Sequence, residues 1–363
     1  MNWMRIVKII ISLAIMTGIG WGIYYFFYQT PAGSNIIGTF FGNGPVNEEL
    51  SVITEKIRPV TSGTIFNYWL ESRTGNIYFV DNDGLVQKIS GEEQSVISSI
   101  PISGVNSIQA SPNGEFMLAK FNYPQSTTFS VFNTVSEVWQ PLPVTTIGAT
   151  WAPNSQDLAY VDDRSLKIMD VRTKKSTEVI RLTQKDLRLH WISDSKILLS
   201  TVTGVDEKIW LLDIGRKTLV PFLEGNNLII NWSEKNELGI RLHIVNNLAR
   251  IGLIDNSGAT LTDFSFLTMP EKCTFQDKKI YCAIPKNIPE GIKLPNDYYK
   301  RSVYFDDLIY LVDLSTGAFS EIPTDLQIPI DAEYLKVVND KLLFKNRLDE
   351  KLYSLSLPEN TRQ

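Results

Sequence analysis

Two cysteines and two histidines in 363 residues set a low ceiling on side-chain chemistry. The cysteines share one short run, Cys273-Thr-Phe-Gln-Asp-Lys-Lys-Ile-Tyr-Cys282. Read as a hairpin with a two-residue turn at Asp277-Lys278, it sets Gln276 against Lys279. Alternation outward then places Cys273 opposite Cys282 at a non-hydrogen-bonded pair, where side chains approach most closely. A disulfide is the chemistry this spacing offers, given an oxidising compartment. Two buried free thiols are the alternative, because Asp-Lys is not a favoured two-residue turn and the register can slip.

The other reactive side chains are dispersed. His190 adjoins Trp191 and His243 lies in an apolar strand, and neither has a His, Cys or acidic cluster at ligand spacing. Structural roles are expected for both, with no metal and no cofactor. Asp81-Asn-Asp-Gly84 matches half of a calcium loop, but calcium wants more oxygens than this supplies, and the same residues make a plain hairpin turn. Acidic pairs recur in loops at Asp162-Asp163, Asp206-Glu207, Asp306-Asp307 and Asp349-Glu350, each diluted by Arg164, Lys208, Arg301 or Arg347. No nucleophile elbow, phosphate loop or zincin motif occurs. The richest recognition chemistry lies in the long loop Pro285 to Asp307, with Tyr298, Tyr299, Tyr304 and Phe305, and long loops of this kind often carry function.

These residues sit on a repeating frame. Trp69, Ala110, Trp151, Trp191, Trp232 and Cys273 follow one another at intervals of 41, 41, 40, 41 and 41 residues. Each is followed by a polar turn and an apolar run such as Phe116-Met-Leu-Ala119 or Lys196-Ile-Leu-Leu199. A second apolar run then ends in Asp before turn residues, as in Ile251-Gly-Leu-Ile-Asp255 and Ile309-Tyr-Leu-Val-Asp313. A period near 40 with several short strands per unit marks propeller blades. The spacing predicts seven, at about 59–98, 102–142, 144–182, 187–223, 226–264, 266–322 and 330–357. The last has only three strands, so Leu50 to Ile57 is expected to supply its outer strand and close the ring.

Ahead of the frame, no charged residue occurs from Ile9 to Asn47. The stretch 9–28 is long enough to cross a bilayer as a helix, with Arg5 and Lys8 holding residues 1–8 in the cytoplasm and Trp21, Tyr24, Tyr25 and Tyr28 at the outer interface. A cleaved signal peptide is the rival, against which stand the length of the apolar core and the aromatic flank. Residues 29–49, rich in Gly and Pro, read as a tether, and 359–363 as a tail. Whether Ile36-Ile37 and Phe40-Phe41 rest on the membrane or under the propeller stays open. Net charge is −5, so a nucleic-acid surface is not expected.

Ser111-Pro-Asn-Gly114 and Trp151-Ala-Pro-Asn154 resemble the WD40-like, TolB-type propeller repeat, in which a Trp precedes Ser-Pro-Asp-Gly and a strand. The resemblance spans about residues 50 to 357, with good motif matches in the second and third units, and it implies fold far more than role. The chain as a whole is similar to uncharacterised single-pass bacterial propeller proteins. The expectation is an all-β, seven-bladed β-propeller over 50–358, preceded by one transmembrane α-helix. Its expected role is to bind another envelope protein as a scaffold or accessory subunit. An envelope hydrolase or lyase with its site in the channel is the alternative, or a carbohydrate- or peptide-binding module. Oligomeric state is not legible.

Overall fold

An aspartate ends the third strand in most repeats, and that residue turns the chain. Asp170 Oδ1 accepts the backbone N–H of Arg172 at 3.0 Å and of Thr173 at 2.7 Å. Asp213 does the same for Arg216 at 2.8 Å and Asp255 for Ser257 at 2.8 Å. A carboxylate bonded to the following backbone mimics a turn, which is why Asp followed by Ser, Thr or Gly ends each strand cleanly. The Ser111-Pro-Asn-Gly114 turn works at closer quarters. Gly114 has φ +74° and a Cβ there would collide with Leu70 O, so the turn can press against the preceding repeat only as glycine.

The computed structural model describes residues 56–183, 187–201, 206–325 and 328–358. By compactness they divide into a propeller body, within 54–312 and 319–363, and the turn 313–318. In that turn Gly317 N–H donates to Asp313 O at 2.8 Å and Ser315 N–H to Asp313 Oδ1 at 2.7 Å. The expected anchor, 9–28, and its tether lie outside the described residues, as does the tail 359–363. Among the described residues no helix is long and apolar enough to cross a membrane.

The body is a seven-bladed propeller of antiparallel strands. Blade 1 comprises Ile65–Leu70, Ile77–Asp81, Val86–Ser90 and Glu93–Val96. Blade 2 comprises Val105–Ala110, Phe116–Phe121, Thr128–Asn133 and Val138–Pro141, and blade 3 Thr146–Trp151, Asp157–Asp162, Ser165–Asp170 and Ser176–Arg181. Blades 4 and 5 are fused into one seven-stranded sheet, because Thr218–Trp232 is both the outer strand of one and the inner strand of the next. It pairs with Asp206–Asp213 on one side through Asp213↔Thr218 and with Leu238–Val245 on the other through Trp232↔Gly239. Blade 6 comprises Cys273–Gln276, Lys279–Pro285, Asp307–Asp313 and Phe319–Glu321. First strands touch between blades 1 and 2, 2 and 3, 3 and 4, and 6 and 7, which places them innermost.

Blade 7 is built from both ends of the body. Ala332–Val338, Lys341–Asn346 and Leu352–Ser356 receive Ile57–Pro59 as fourth strand, in the register Ile57↔Leu355 and Pro59↔Tyr353. The closing strand therefore begins at the last residue of the expected 50–57 and runs on to Pro59. Of that stretch the described residues are Lys56, which is exposed, and Ile57, buried at 6% exposure among Ile322, Ile330 and Leu355. Proline is tolerated here because the outer strand leaves one side of its backbone unpaired.

Between blades the core is apolar. Trp151 packs with Phe116, Leu118 and Val131 of blade 2, Trp191 with Val161 and Leu166 of blade 3, and Trp232 with Leu198 and Ile209 of blade 4. Each of these rings faces the preceding blade. Trp69 does not. Its partner is Tyr78, whereas the pair Leu70↔Ile77 matches Trp151↔Leu158, so Trp69 is one residue out of phase. A one-residue slip reverses the face of a strand, and Trp69 packs forward on Met117 and Phe132 of blade 2, with Nε1 donating to Gly114 O at 3.2 Å.

A candidate partner-binding face

Loops joining second to third strands, and the connections between blades, open at the same end of the body. The insertion 286–306 leaves blade 6 at that end and contains the short helix Asn296–Tyr299. Its four aromatic residues do not form one exposed surface. Tyr298 and Phe305 are 2% and 4% exposed and pack with Leu242, Met269 and Leu294 between blades 5 and 6. Tyr299 and Tyr304 remain 52% and 44% exposed. Of the four residues expected in a contact loop, Tyr298 and Phe305 are thus buried anchors, and Tyr299 and Tyr304 are exposed. The anchors are inward because a loop of this length must bury apolar area to hold one conformation.

What fixes the anchors is a buried ion network that the loop chemistry did not advertise. Lys272 Nζ lies 2.5 Å from Asp307 Oδ2 and 2.6 Å from Asp331 Oδ1, with no exposure on any of the three side chains. Arg347 Nη1 lies 2.8 Å from Asp331 Oδ2, and its Nη2 donates to Tyr298 O at 3.0 Å. Phe305 N–H donates to Asp331 Oδ2 at 3.1 Å, and Lys345 Nζ pairs with Glu333 at 3.3 Å. The Arg347 guanidinium also lies over the rings of Tyr298, at 3.9 Å, and Tyr304, at 4.9 Å. Three cations and three carboxylates thus meet charge for charge, the condition under which buried ions are tolerated. Burial pushes the Asp307 carboxyl up to about 6, even with Lys272 pulling it down. The sequence signal was present: Asp331 lies between Ile330 and Ala332, and Lys345 and Arg347 follow Leu342-Leu-Phe344. A charge in an apolar run implies a buried partner.

Beside this network the inner strands begin, and their starts form the mouth of the ring. Glu271 precedes the inner strand of blade 6, Arg188 is the second residue of that of blade 4, Leu187–Ser193, and Tyr334 the third of that of blade 7. Tyr334 is 40% exposed and has φ +57°, a conformation costly for a bulky side chain. Its carbonyl is held by the Tyr68 hydroxyl at 2.7 Å. Tyr299 donates its hydroxyl to Glu271 Oε2 at 3.0 Å. At the rim Arg301 pairs with Glu350 at 2.8 Å, and Asn82 donates to the same carboxylate at 3.3 Å.

The remaining sequence-selected residues are accounted for individually. Cys273 and Cys282 are in register, Cα atoms 4.1 Å apart, and joined as a disulfide, with Asp277 at φ +50° in the intervening turn. His190 stacks on Trp232 and contacts Asn236 Oδ1 at 3.1 Å, and burial holds its pKa below the usual value. Burial lowers that of His243 too, with Arg241 adding to it. Asp81 to Gly84 close a turn, Leu85 N–H donating to Asp81 Oδ1 at 2.8 Å. The acidic loops do not make an acidic face. Asp162 is paired with Lys167, Asp306 with Lys286 and Glu350 with Arg301, while Asp307 is buried. Among the described residues no group of three His, Cys, Asp or Glu is placed to hold a metal.

Neither a family model nor any curated protein matches this sequence. Solved structures do match, at low identity. The chain is similar to U3-55K, at 13% identity and TM-score 0.53 over 83% of this chain and 98% of that one. The RRP9 WD40 repeats give 13% identity and TM-score 0.52 over 83% and 97%. The tricorn protease gives 10% identity and TM-score 0.53 over 81% of this chain, which spans only 33% of that protein's length. At these identities the likeness is one of fold: a WD40-type seven-bladed propeller.

Proposed function

We propose that this protein is a membrane-anchored, extracytoplasmic propeller, TolB-like in its repeats, that binds another protein at the cell envelope as a scaffold or accessory subunit. The single observation carrying the binding role is the locked insertion: Tyr299 and Tyr304 stand exposed on a segment whose neighbours, Tyr298 and Phe305, are held by Arg347 and Asp331. Aromatic and Arg side chains on a pre-ordered backbone are what protein interfaces use as anchors, because little conformational entropy remains to be lost on association. Tyr334 and Leu348 add exposed apolar area, and Arg301, Glu350 and Asn82 supply a polar rim. The anchoring part rests on the charge-free apolar stretch 9–28.

The test uses the full chain in native membranes, crosslinked and captured, against Tyr299→Ser with Tyr304→Ser. Both side chains are exposed, so the double variant should keep its melting temperature and lose the crosslinked partner. Undiminished capture by a normally folded variant places the interface elsewhere. Alkaline carbonate extraction of the chain would remove the anchor from the reading. Protection of the propeller from protease that reaches the outer face of the sealed membrane would remove the extracytoplasmic placement.

A further inference from the structure

The mouth contains a carboxylate that the fold leaves without a cation. Around it the charges are matched in sets: Lys272 with Asp307 and Asp331, Arg347 with Asp331 and Glu333, Lys345 with Glu333, Arg301 with Glu350. Glu271 has no ion-pair partner among the described residues; its donors are its own backbone N–H and the Tyr299 hydroxyl, at 3.0 Å. Burial pushes its carboxyl above the ordinary value and Glu333 adds to that, while its own backbone N–H, the Tyr299 hydroxyl and the charge of Lys272 pull it down. A half-buried carboxylate with two neutral donors and no ion pair of its own is an incomplete arrangement, since desolvated charges in proteins are ordinarily paired.

A second polar group at the same place is also incomplete. Tyr298 is 2% exposed and its hydroxyl has no hydrogen-bond partner among the described residues. After burial itself, the Glu271 carboxylate is the largest influence raising that phenol. Tyr298 already contributes its ring to Arg347 and its carbonyl to the same guanidinium, so its oxygen is the one feature the network does not use. Tyr334, in its left-handed backbone conformation, also feels both Glu333 and Glu271. The cations facing the mouth, Arg188 and Arg301, are respectively at the start of another inner strand and committed to Glu350.

We propose that the mouth bounded by Glu271, Tyr298, Tyr299 and Tyr334 is a receptor for a single alkylammonium or guanidinium group, presented by a Lys or Arg side chain of the bound partner. The cation supplies the missing charge to Glu271 and an N–H donor to the Tyr298 oxygen. The phenol rings of Tyr299 and Tyr334 offer their negative faces to the same charge. A neutral or anionic group satisfies none of these. This inference rests on the partner-binding reading of the same face and sharpens it: it names the chemistry of the residue at the centre of the contact.

The full chain is titrated with Nα-acetyl-lysine methylamide, its arginine counterpart, and the neutral norleucine and anionic glutamate counterparts, followed by ligand-observed NMR. Saturable binding of the two cations alone is expected, and Glu271→Gln should weaken it tenfold or more, the usual effect of removing a charge-assisted hydrogen bond. The melting temperature of this variant should not fall, since the substitution removes a recessed unpaired charge. Equal binding of the norleucine compound, no saturable binding of either cation, or an unchanged affinity in Glu271→Gln each overturns the proposal. Crosslinked capture is run on the same variant with and without excess lysine compound. Loss of capture under competition assigns the cation to the partner protein, whereas cation binding that leaves capture intact assigns the site to a free amine and overturns the partner's role in it. Capture lost in the Tyr299→Ser, Tyr304→Ser double variant but intact in Glu271→Gln sinks this inference alone and leaves the interface reading standing.

Discussion

Replacing Asp307 by Asn isolates one proton in the buried network. In the fold the Asp307 side chain has no exposure, and its Oδ2 receives Lys272 at 2.5 Å and the Ala332 N–H at 2.8 Å. Burial raises its pKa from 3.8 to about 6. The sign follows from comparing the two states. Between about 4 and 6 the folded protein holds a proton that the unfolded chain has released, so this group favours folding at low pH. That contribution is complete below the unfolded pKa and is lost as pH rises through the folded one. About two units at 1.36 kcal/mol each make roughly 3 kcal/mol. For a body of this size that corresponds to about 5 °C in melting temperature. Calorimetry of wild type and Asp307→Asn from pH 4 to 7.5 reads the difference between the two. Asn costs Lys272 one charged partner, which offsets the variant by a constant amount. Glu271, His190 and His243 titrate in both proteins and cancel. Across the window the wild type should lose about 5 °C relative to the variant. A difference that stays flat from pH 4 to 7 would refute the reasoning, because Asp307 would then share one pKa in both states.

Three further outcomes follow from the packing. Trp151→Ala should cost about 3–5 kcal/mol in urea unfolding, the range for large buried aromatics, and Trp232→Ala less, since its ring is only partly covered. Deleting residues 1–50 should leave the melting temperature of the body unchanged, while extending the deletion through Pro59 should lower it by stripping the outer strand from blade 7; identical melting of the two truncations would mean that the strand contributes nothing. Cys273→Ser with Cys282→Ser should destabilise by about 2–3 kcal/mol, from loop-closure entropy over a separation of 9 residues. Thiol labelling of the native sequence in denaturant without reductant should find no reactive sulfur.

The fold was legible because each blade repeats a local grammar. Asp before Ser, Thr or Gly turns the chain by its own side chain, and period-41 apolar marks recur because each blade presents the same strand to its neighbour. Phase was less secure than period. Trp69 advertised the repeat, yet the residue in the equivalent slot is Leu70, since the eye follows the ring and the pleat follows the partner. The fusion of blades 4 and 5 was invisible: the repeat predicts a break between 223 and 226, where one strand in fact continues with a shift of register. For the face, the insertion could be found by length alone. Which tyrosines point outward could not, because that depends on Lys272, Asp331 and Arg347, which lie far apart in sequence and meet only when blades 6 and 7 pack.

Closing blade 7 with Ile57–Pro59 has a consequence for how the protein is made. Ile57 pairs with Leu355, a separation of 355 − 57 = 298 residues. At synthesis rates of about 5–20 residues per second, the strand made first waits roughly 15 to 60 seconds for its partner. Throughout that interval six nascent blades can zip sequentially, each on the one before, while blade 1 presents Ile65, Tyr68 and Phe79 with no seventh blade to cover them. The ring is thus open until Leu355 has been made and shuts in one late event. A ribosome stalled short of Leu352 yields six blades and an unsealed ring, which quality-control proteases can recognise by that bare flank.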